Sequence, residues 1–208
     1  PRRHGHRSGD GPPRLTAMAI GVIGAGAWGT ALAIAASRAG REVRLWGRDA
    51  EALALMRRTR LNGRRLPGIA IPSGVMPTAD LAEVRACNPI LLAAPAQTLR
   101  EVAATAPAAA TLVICAKGLE RETGLRLSEV VASVRPAATL AVLSGPSFAV
   151  ELAQGLPTAV TLAAFELGTA RSLAAMLAGP AFRLYPTDDV VGVEIGGALK
   201  NVFAIAAG

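Results

Sequence analysis

Six residues constrain the fold of this chain more than any others. Gly24-Ala-Gly-Ala-Trp-Gly29 is a GxGxxG that directly follows the short apolar run Ala19 to Ile23 and opens an alanine-rich stretch. The first glycine permits a tight turn. The second lets the backbone approach a pyrophosphate, and the third lets helix and strand pack closely. A helix N-terminus adds free N–H groups and a partial positive charge. Between a strand and a helix, the spacing predicts a dinucleotide-binding turn rather than a merely tight one.

The rest of the sequence continues the alternation. A helix is expected from about Trp28 to Ala39, closed by Gly40, then a strand over Glu42 to Trp46 and a helix capped by Asp49 and running to about Arg58. A basic stretch with Asn62-Gly63 and Pro67-Gly68 reads as irregular. Asp80 starts a helix ending near Cys87, and strands are expected at Pro89 to Ala94, Thr111 to Ala116, Thr139 to Leu143, Thr158 to Ala163 and around Phe182 to Tyr185. Helices are expected at Gln97 to Ala104, Leu125 to Val134 and Glu166 to Leu177. This order predicts an α/β fold, a Rossmann-type doubly wound and mostly parallel sheet. From Asp188 the character changes to one helix, Val190 to Ala207. Asp188, Asp189, Glu194, Lys200 and Asn201 interrupt it too often for a membrane span. It reads as a core helix, the first of an all-helical C-terminal domain that is truncated. The expected division is thus a disordered basic tail at 1–17, a dinucleotide-binding domain at 18–187 and the start of a helical substrate domain at 188–208.

Composition sharpens this reading. The formal charge of +7 would suit a nucleic-acid partner, but Arg2, Arg3, Arg7 and Arg14 all lie in the Gly/Pro/Arg-rich first seventeen residues. That segment reads as a disordered tail, a mistranslated upstream extension or a cloning remnant. It lacks the apolar run of a secretory signal. No nucleic-acid partner is expected. Cys87 and Cys115, in apolar strand-like settings without metal-ligand spacing, read as buried thiols of a reducing, cytoplasmic compartment. Of 22 basic residues only Lys117 and Lys200 are lysines. A lysine ammonium can be tuned to release its proton, whereas arginine cannot.

Three further positions carry chemistry. At the end of the second strand, Gly47 leaves space and Arg48 supplies a cation that suits the 2′-phosphate of NADP; alternatively Asp49 bonds the ribose and Arg48 is solvated. Lys117 lies just past a strand end, where open α/β sheets bind ligands, and reads either as an oxyanion or phosphate ligand or as an exposed loop lysine. Ser144-Gly-Pro-Ser147 reads as a polar substrate rim, or as a tight turn in which Ser147 caps the next short helix. With no histidine after His6, it is not a nucleophile elbow. In the last helix, Val191, Ile195, Leu199, Val202 and Ala206 form an apolar stripe. Lys200 lies on the opposite side, where Gly196 and Gly197 stand four and three residues earlier. Adjacent glycines cost a helix about 1 kcal/mol each relative to alanine. They fit either a ligand brought close to the lysine or close helix packing beside a solvated one.

Taken together, Gly24-Ala-Gly-Ala-Trp-Gly-Thr-Ala-Leu-Ala33, Lys117-Gly-Leu-Glu120, Ser144-Gly-Pro-Ser-Phe-Ala149, Leu156-Pro-Thr-Ala159 and Gly192-Val-Glu-Ile-Gly-Gly-Ala-Leu-Lys-Asn-Val202 resemble the bacterial glycerol-3-phosphate dehydrogenase [NAD(P)+] family, from about Met18 to Gly208. Asn62 with Leu66-Pro67-Gly68 resembles a loop of the same family. The resemblance implies interconversion of dihydroxyacetone phosphate and sn-glycerol 3-phosphate for glycerophospholipid synthesis, with NADP or NAD as cofactor, no metal and room for a homodimer. By matching position, Lys200 is the general acid–base and Lys117 binds substrate near the cofactor. Gly145 and Ser147 contact substrate. Gly24, Gly26, Ala27, Trp28, Gly29, Arg48 and Ala149 hold the dinucleotide.

Ala27 stands where serine is frequent, harmless if the backbone N–H makes the contact. The family's Arg-Asn pair and acidic residue at the substrate phosphate belong to a later helical domain absent from this sequence. This chain alone is therefore expected to bind dinucleotide with little or no turnover. Two other readings share the glycine turn. One is a related reductase of the 6-phosphogluconate-dehydrogenase-like type, which should lack the two lysine motifs together with Ser144-Gly-Pro-Ser147. The other is a catalytically silent dinucleotide-binding module.

Overall fold

The computed structural model describes residues 18–207, with side chains to residue 199; the expected tail at 1–17 lies outside the described residues. The elements are Ile20–Ile23 (β1), Ala27–Arg38 (α1), Val43–Trp46 (β2), Ala50–Thr59 (α2), Leu61–Asn62 (β3), Leu66–Ala70 (β4), Val75–Thr78 (β5), Leu81–Arg85 (α3), Ile90–Leu92 (β6) and Leu99–Ala104 (α4). They continue with Thr111–Ile114 (β7), Leu127–Val134 (α5), Thr139–Ser144 (β8), Ala149–Gln154 (α6), Thr158–Ala164 (β9), Leu167–Leu177 (α7), Phe182–Thr187 (β10) and Val190–Ala207 (α8).

Eight strands form one sheet in the order β5-β2-β1-β6-β7-β8-β9-β10. The first six are mutually parallel. Their order is that of a doubly wound dinucleotide-binding fold, whose ligand crevice opens where the order reverses, here between β1 and β6 at the carboxyl ends. β9 runs antiparallel to β8, and β10 follows it in parallel.

The two-residue period of the strands divides the core between the sheet faces. Ile20 and Val22 of β1, Leu91 of β6, Val113 of β7 and Leu143 of β8 pack with α1, α2, α6 and α7. Ile23, Ile90, Leu92, Leu112, Ile114 and Val142 point the other way, toward α3, α4, α5 and the first turn of α8. Strands buried on both faces read as near-continuous apolar runs, which is why β1 and β6 were legible.

Several expectations are met locally. Asp49 caps α2 by accepting the Ala52 N–H at 3.0 Å, and Asp80 does the same for α3 with Ala82 at 2.8 Å. Gly40, at φ +81°, follows the end of α1. Others are corrected. The stretch read as irregular holds the β3–β4 hairpin and the sheet strand β5. The helix after Ser144-Gly-Pro-Ser147 is capped at Phe148 without a side-chain bond, so Ser147 is not its cap. Cys87 follows α3 and Cys115 lies just past β7, rather than within strands; both are buried and unpaired. Burial pushes both thiols above their ordinary range, which keeps them protonated and unreactive.

Helix α8 seats differently from the sequence reading. Its inward residues are Val190, Glu194 and, in part, Val193, whereas Val191, Ile195 and Leu199 of the apolar stripe are exposed. Val202 and Ala206 lie beyond the described side chains. Among the described residues no helix is long and apolar enough to cross a membrane.

Candidate functional site

The glycine turn is built by contacts that leave no room for side chains. Gly24 sits at φ +122°, a conformation L side chains avoid, and its N–H donates to the Trp46 carbonyl at 2.9 Å. A methyl group at Gly29 would stand 1.9 Å from the Gly24 carbonyl oxygen, so α1 can approach β1 this closely only through glycine. Gly26 differs: nothing lies within 4 Å of the space a side chain would take. It caps α1 without a side-chain bond, so that open space faces the helix's amides.

The turn is held from outside by a residue to which the sequence reading gave no role. Asn62, only 2% exposed, donates from Nδ2 to the Ala25 carbonyl at 3.1 Å and to the Thr30 hydroxyl at 2.8 Å. Its Oδ1 accepts the Arg65 N–H at 3.3 Å. The β3–β4 hairpin is thereby stapled to the turn. Asn62→Leu is expected to lower stability by about 2 kcal/mol, because it strands buried polar groups that Asn62 satisfies. Urea unfolding measures this, and a loss below about 0.5 kcal/mol, the usual surface-substitution range, would contradict the staple.

At the end of β2, Arg48 is exposed, while Gly47 is buried against Ala25, whose Cβ lies 2.9 Å from the position of an added methyl. The glycine therefore serves packing of the turn rather than leaving free space. Oδ1 of Asp49 caps α2, which leaves its second oxygen and the exposed Arg48 as the charged groups at this strand end.

Past β7, Lys117 is half-buried and its Nζ donates to the Gly145 carbonyl at 2.7 Å, tying the loop after β7 to the loop after β8. The following loop is braced by a bidentate pair, Arg100 to Glu120 at 2.7 and 2.9 Å, with the Thr123 hydroxyl donating to the same carboxylate at 2.6 Å. Arg100 first, then Thr123, holds the Glu120 carboxyl below the usual carboxylate range.

Above these loops lies α8. Ser144, Gly145 and Pro146, with Thr161 of β9, face Gly192, Val193, Gly196 and Gly197 across an open cleft of about 470 Å³. A methyl at Gly197 would lie 2.5 Å from Ser144 Oγ and 3.7 Å from Lys117 Cγ, whereas Gly196 has nothing within 4 Å. Gly197 thus packs closely, and Gly196 opens onto the cleft. Lys200 belongs to α8, seven residues and so about two turns after Val193, which places the position on the cleft face. Its side chain lies outside the described residues.

The structure therefore brings Lys117, Gly145 and the α8 glycines together, and places Gly24 to Gly29 and Arg48 at the same carboxyl edge of the sheet. Ala149 opens α6, which packs on α1; Ala149, Ala27 and Trp28 all lie against one core. Trp28 Nε1 and Ser147 Oγ are buried without a hydrogen-bond partner. Among the described residues no cluster of His, Cys, Asp and Glu could hold a metal ion.

Residues 19–170 match the family described as the NAD-dependent glycerol-3-phosphate dehydrogenase N-terminus. The chain is 56% identical over 193 residues to glycerol-3-phosphate dehydrogenase [NAD(P)+] of Azorhizobium caulinodans, a match covering 91% of this chain and 59% of that protein. It is 52% identical to the protein of the same name from Rhodospirillum rubrum, covering 91% and 56%. The crystal structure of glycerol-3-phosphate dehydrogenase from Coxiella burnetii superposes with a TM-score of 0.84 at 37% identity, over 91% of this chain and 59% of that one. The chain thus spans under two thirds of the length of these relatives. Sheet order, glycine turn and comparisons agree that the chain belongs to the NAD-dependent glycerol-3-phosphate dehydrogenase family, whose N-terminal part it matches.

Proposed function

We propose that the protein carrying this chain interconverts dihydroxyacetone phosphate and sn-glycerol 3-phosphate with a nicotinamide dinucleotide. The observation that carries the reading is the cleft between Ser144-Gly145-Pro146 and the α8 glycines at the carboxyl edge of the sheet, with Lys117 bonded to the carbonyl of the Gly145 that lines it. Its volume of about 470 Å³ is within the range of small-ligand sites.

The residues present fit the cofactor. Open space in front of Gly26, at a helix N-terminus without a side-chain cap, suits a pyrophosphate. The unpartnered Trp28 Nε1 and Ser147 Oγ suit a polar ligand near by. Bound NAD(P)H supplies a hydride to the ketone carbon. Lys200 is assigned the proton delivered to the carbonyl oxygen, and takes it back in the oxidative direction. The cationic Lys117 attracts the anionic substrate and, through its bond to the Gly145 carbonyl, orders the rim. Arg48, exposed and beside a capping Asp49, favours NADP. Two unpaired buried thiols favour a reducing, cytoplasmic compartment. The helix α8 is assigned to the beginning of a helical substrate domain, which its exposed apolar stripe suits.

The test is NADPH and NADH oxidation at 340 nm with dihydroxyacetone phosphate, using the natural full-length protein. Substrate-dependent turnover, faster with NADPH, is the expected result. Tight dinucleotide binding without turnover would point instead to a sensor or a different substrate.

A further inference from the structure

Glu194 is an acidic residue inside an otherwise apolar segment of α8, with 7% of its surface exposed. Burying a carboxylate is costly unless its oxygens find donors. Both do, on one other helix: Oε1 accepts the Ser128 backbone N–H at 2.7 Å and Oε2 accepts the Ser128 hydroxyl at 2.6 Å. Ser128 is the second residue of α5, so the carboxylate satisfies an N–H that α5 cannot satisfy internally and lies at the positive end of that helix. Arg126, the residue before α5, places Nη1 at 3.6 Å from Oε2; this buried nitrogen has no hydrogen-bond partner, so the pairing is purely electrostatic.

The contact fixes more than a helix end. Two hydrogen bonds to a single residue of α5 set both the height and the rotation of α8. Val193 and Gly197, adjacent to Glu194 and three residues beyond it, line the cleft, and Gly197 rests against Ser144. A rotation of α8 by one residue's 100° would carry that face, and the Lys200 position with it, away from Lys117 and Ser144. The apolar side chains of Val191, Ile195 and Leu199 are exposed on another face of the helix.

We propose that Glu194 is a positioning residue of the reaction: it clamps α8 to the N-terminus of α5 and so sets the acid–base lysine over the cleft. The inference rests on the assignment of Lys200 made above. The dinucleotide turn lies after β1, on another strand, and does not depend on this clamp.

The experiment is steady-state kinetics of the full-length protein carrying E194A, E194Q, S128A or K200A, with thermal unfolding alongside. E194A is expected to lower kcat about 100-fold, the scale of an ångström misplacement of a reacting group, while KM for the dinucleotide stays within about twofold. E194Q keeps an oxygen for the Ser128 N–H and offers an amide to the hydroxyl, and is expected to restore kcat to within about fivefold of wild type. S128A, which removes one of the two bonds from the other side, should fall between them and stands in if E194A does not fold. Three results overturn the proposal: kcat within threefold of wild type in E194A and S128A, kcat and dinucleotide affinity lost together, or E194Q as impaired as E194A. Full turnover by K200A refutes the lysine assignment instead, and the kcat-against-KM split at Glu194 still reads separately.

Discussion

Replacing Gly29 by alanine should abolish dinucleotide binding and destabilise the fold by about 3 kcal/mol or more, the upper range for forced overpacking. The added methyl would stand 1.9 Å from the Gly24 carbonyl oxygen and 3.1 Å from the Ala93 methyl. The first obstacle is backbone, so it cannot swing aside as a side chain would. Alanine would ordinarily stabilise a helix interior by about 1 kcal/mol over glycine, and that gain is smaller than the cost of the clash. Relief requires α1 to tilt away from β1, which moves its N-terminal amides from the crevice between β1 and β6. Denaturant unfolding and fluorescence titration with NADPH measure both effects. Gly26→Ala is the internal control: it meets nothing within 4 Å, so it should leave stability near wild type while crowding the ligand. A Gly29→Ala protein of undiminished stability would contradict the packing described.

Lys200→Ala in the full-length protein is expected to lower kcat by about 1,000-fold or more. General acid catalysis contributes roughly 10²–10⁴-fold, and stabilising the developing alkoxide adds to it. KM for the dinucleotide should change little, since the position lies on α8 rather than at the glycine turn. Lys200→Arg should not rescue the rate: arginine keeps a charge but cannot release its proton near neutral pH. Stopped-flow and steady-state rates with dihydroxyacetone phosphate decide the matter. Wild-type kcat in either variant would remove the lysine from the chemistry.

The parts of the molecule that were legible are those whose cause is local. β1, its glycine turn and α1 declare themselves through an apolar run, φ-permissive residues and alanines, and Lys117 through its place at a strand end. β5 was not legible because Val75-Met-Pro-Thr78 contains a proline, which argues against a strand. The structure tolerates Pro77 because β5 is the edge strand, where a missing N–H on the open side breaks no ladder. The seating of α8 was misread for a different reason. Periodicity identifies an apolar stripe but not which neighbour covers it, and here the inward face contains a glutamate whose donors lie 66 residues earlier in sequence. Asn62 and Glu194 share this property: each lies in a stretch that resembles the family, but its role comes from partners on another element that the sequence pattern does not reveal.

The central position of β1 has a consequence for how the protein is made. Its first partner, β2, follows within a few tens of residues, but its second, β6, pairs Gly21 with Ile90, 69 positions later (90 − 21). Ala93, against which Gly24 and Gly29 are packed, directly follows that late-arriving strand. At roughly 5–20 residues per second of synthesis, the emerging chain spends several seconds with its glycine turn written but not yet formed. The cofactor cannot template its own site during that interval. The nascent protein must first close a long loop without the ligand's help, and only then does the nucleotide pool begin to favour the native state.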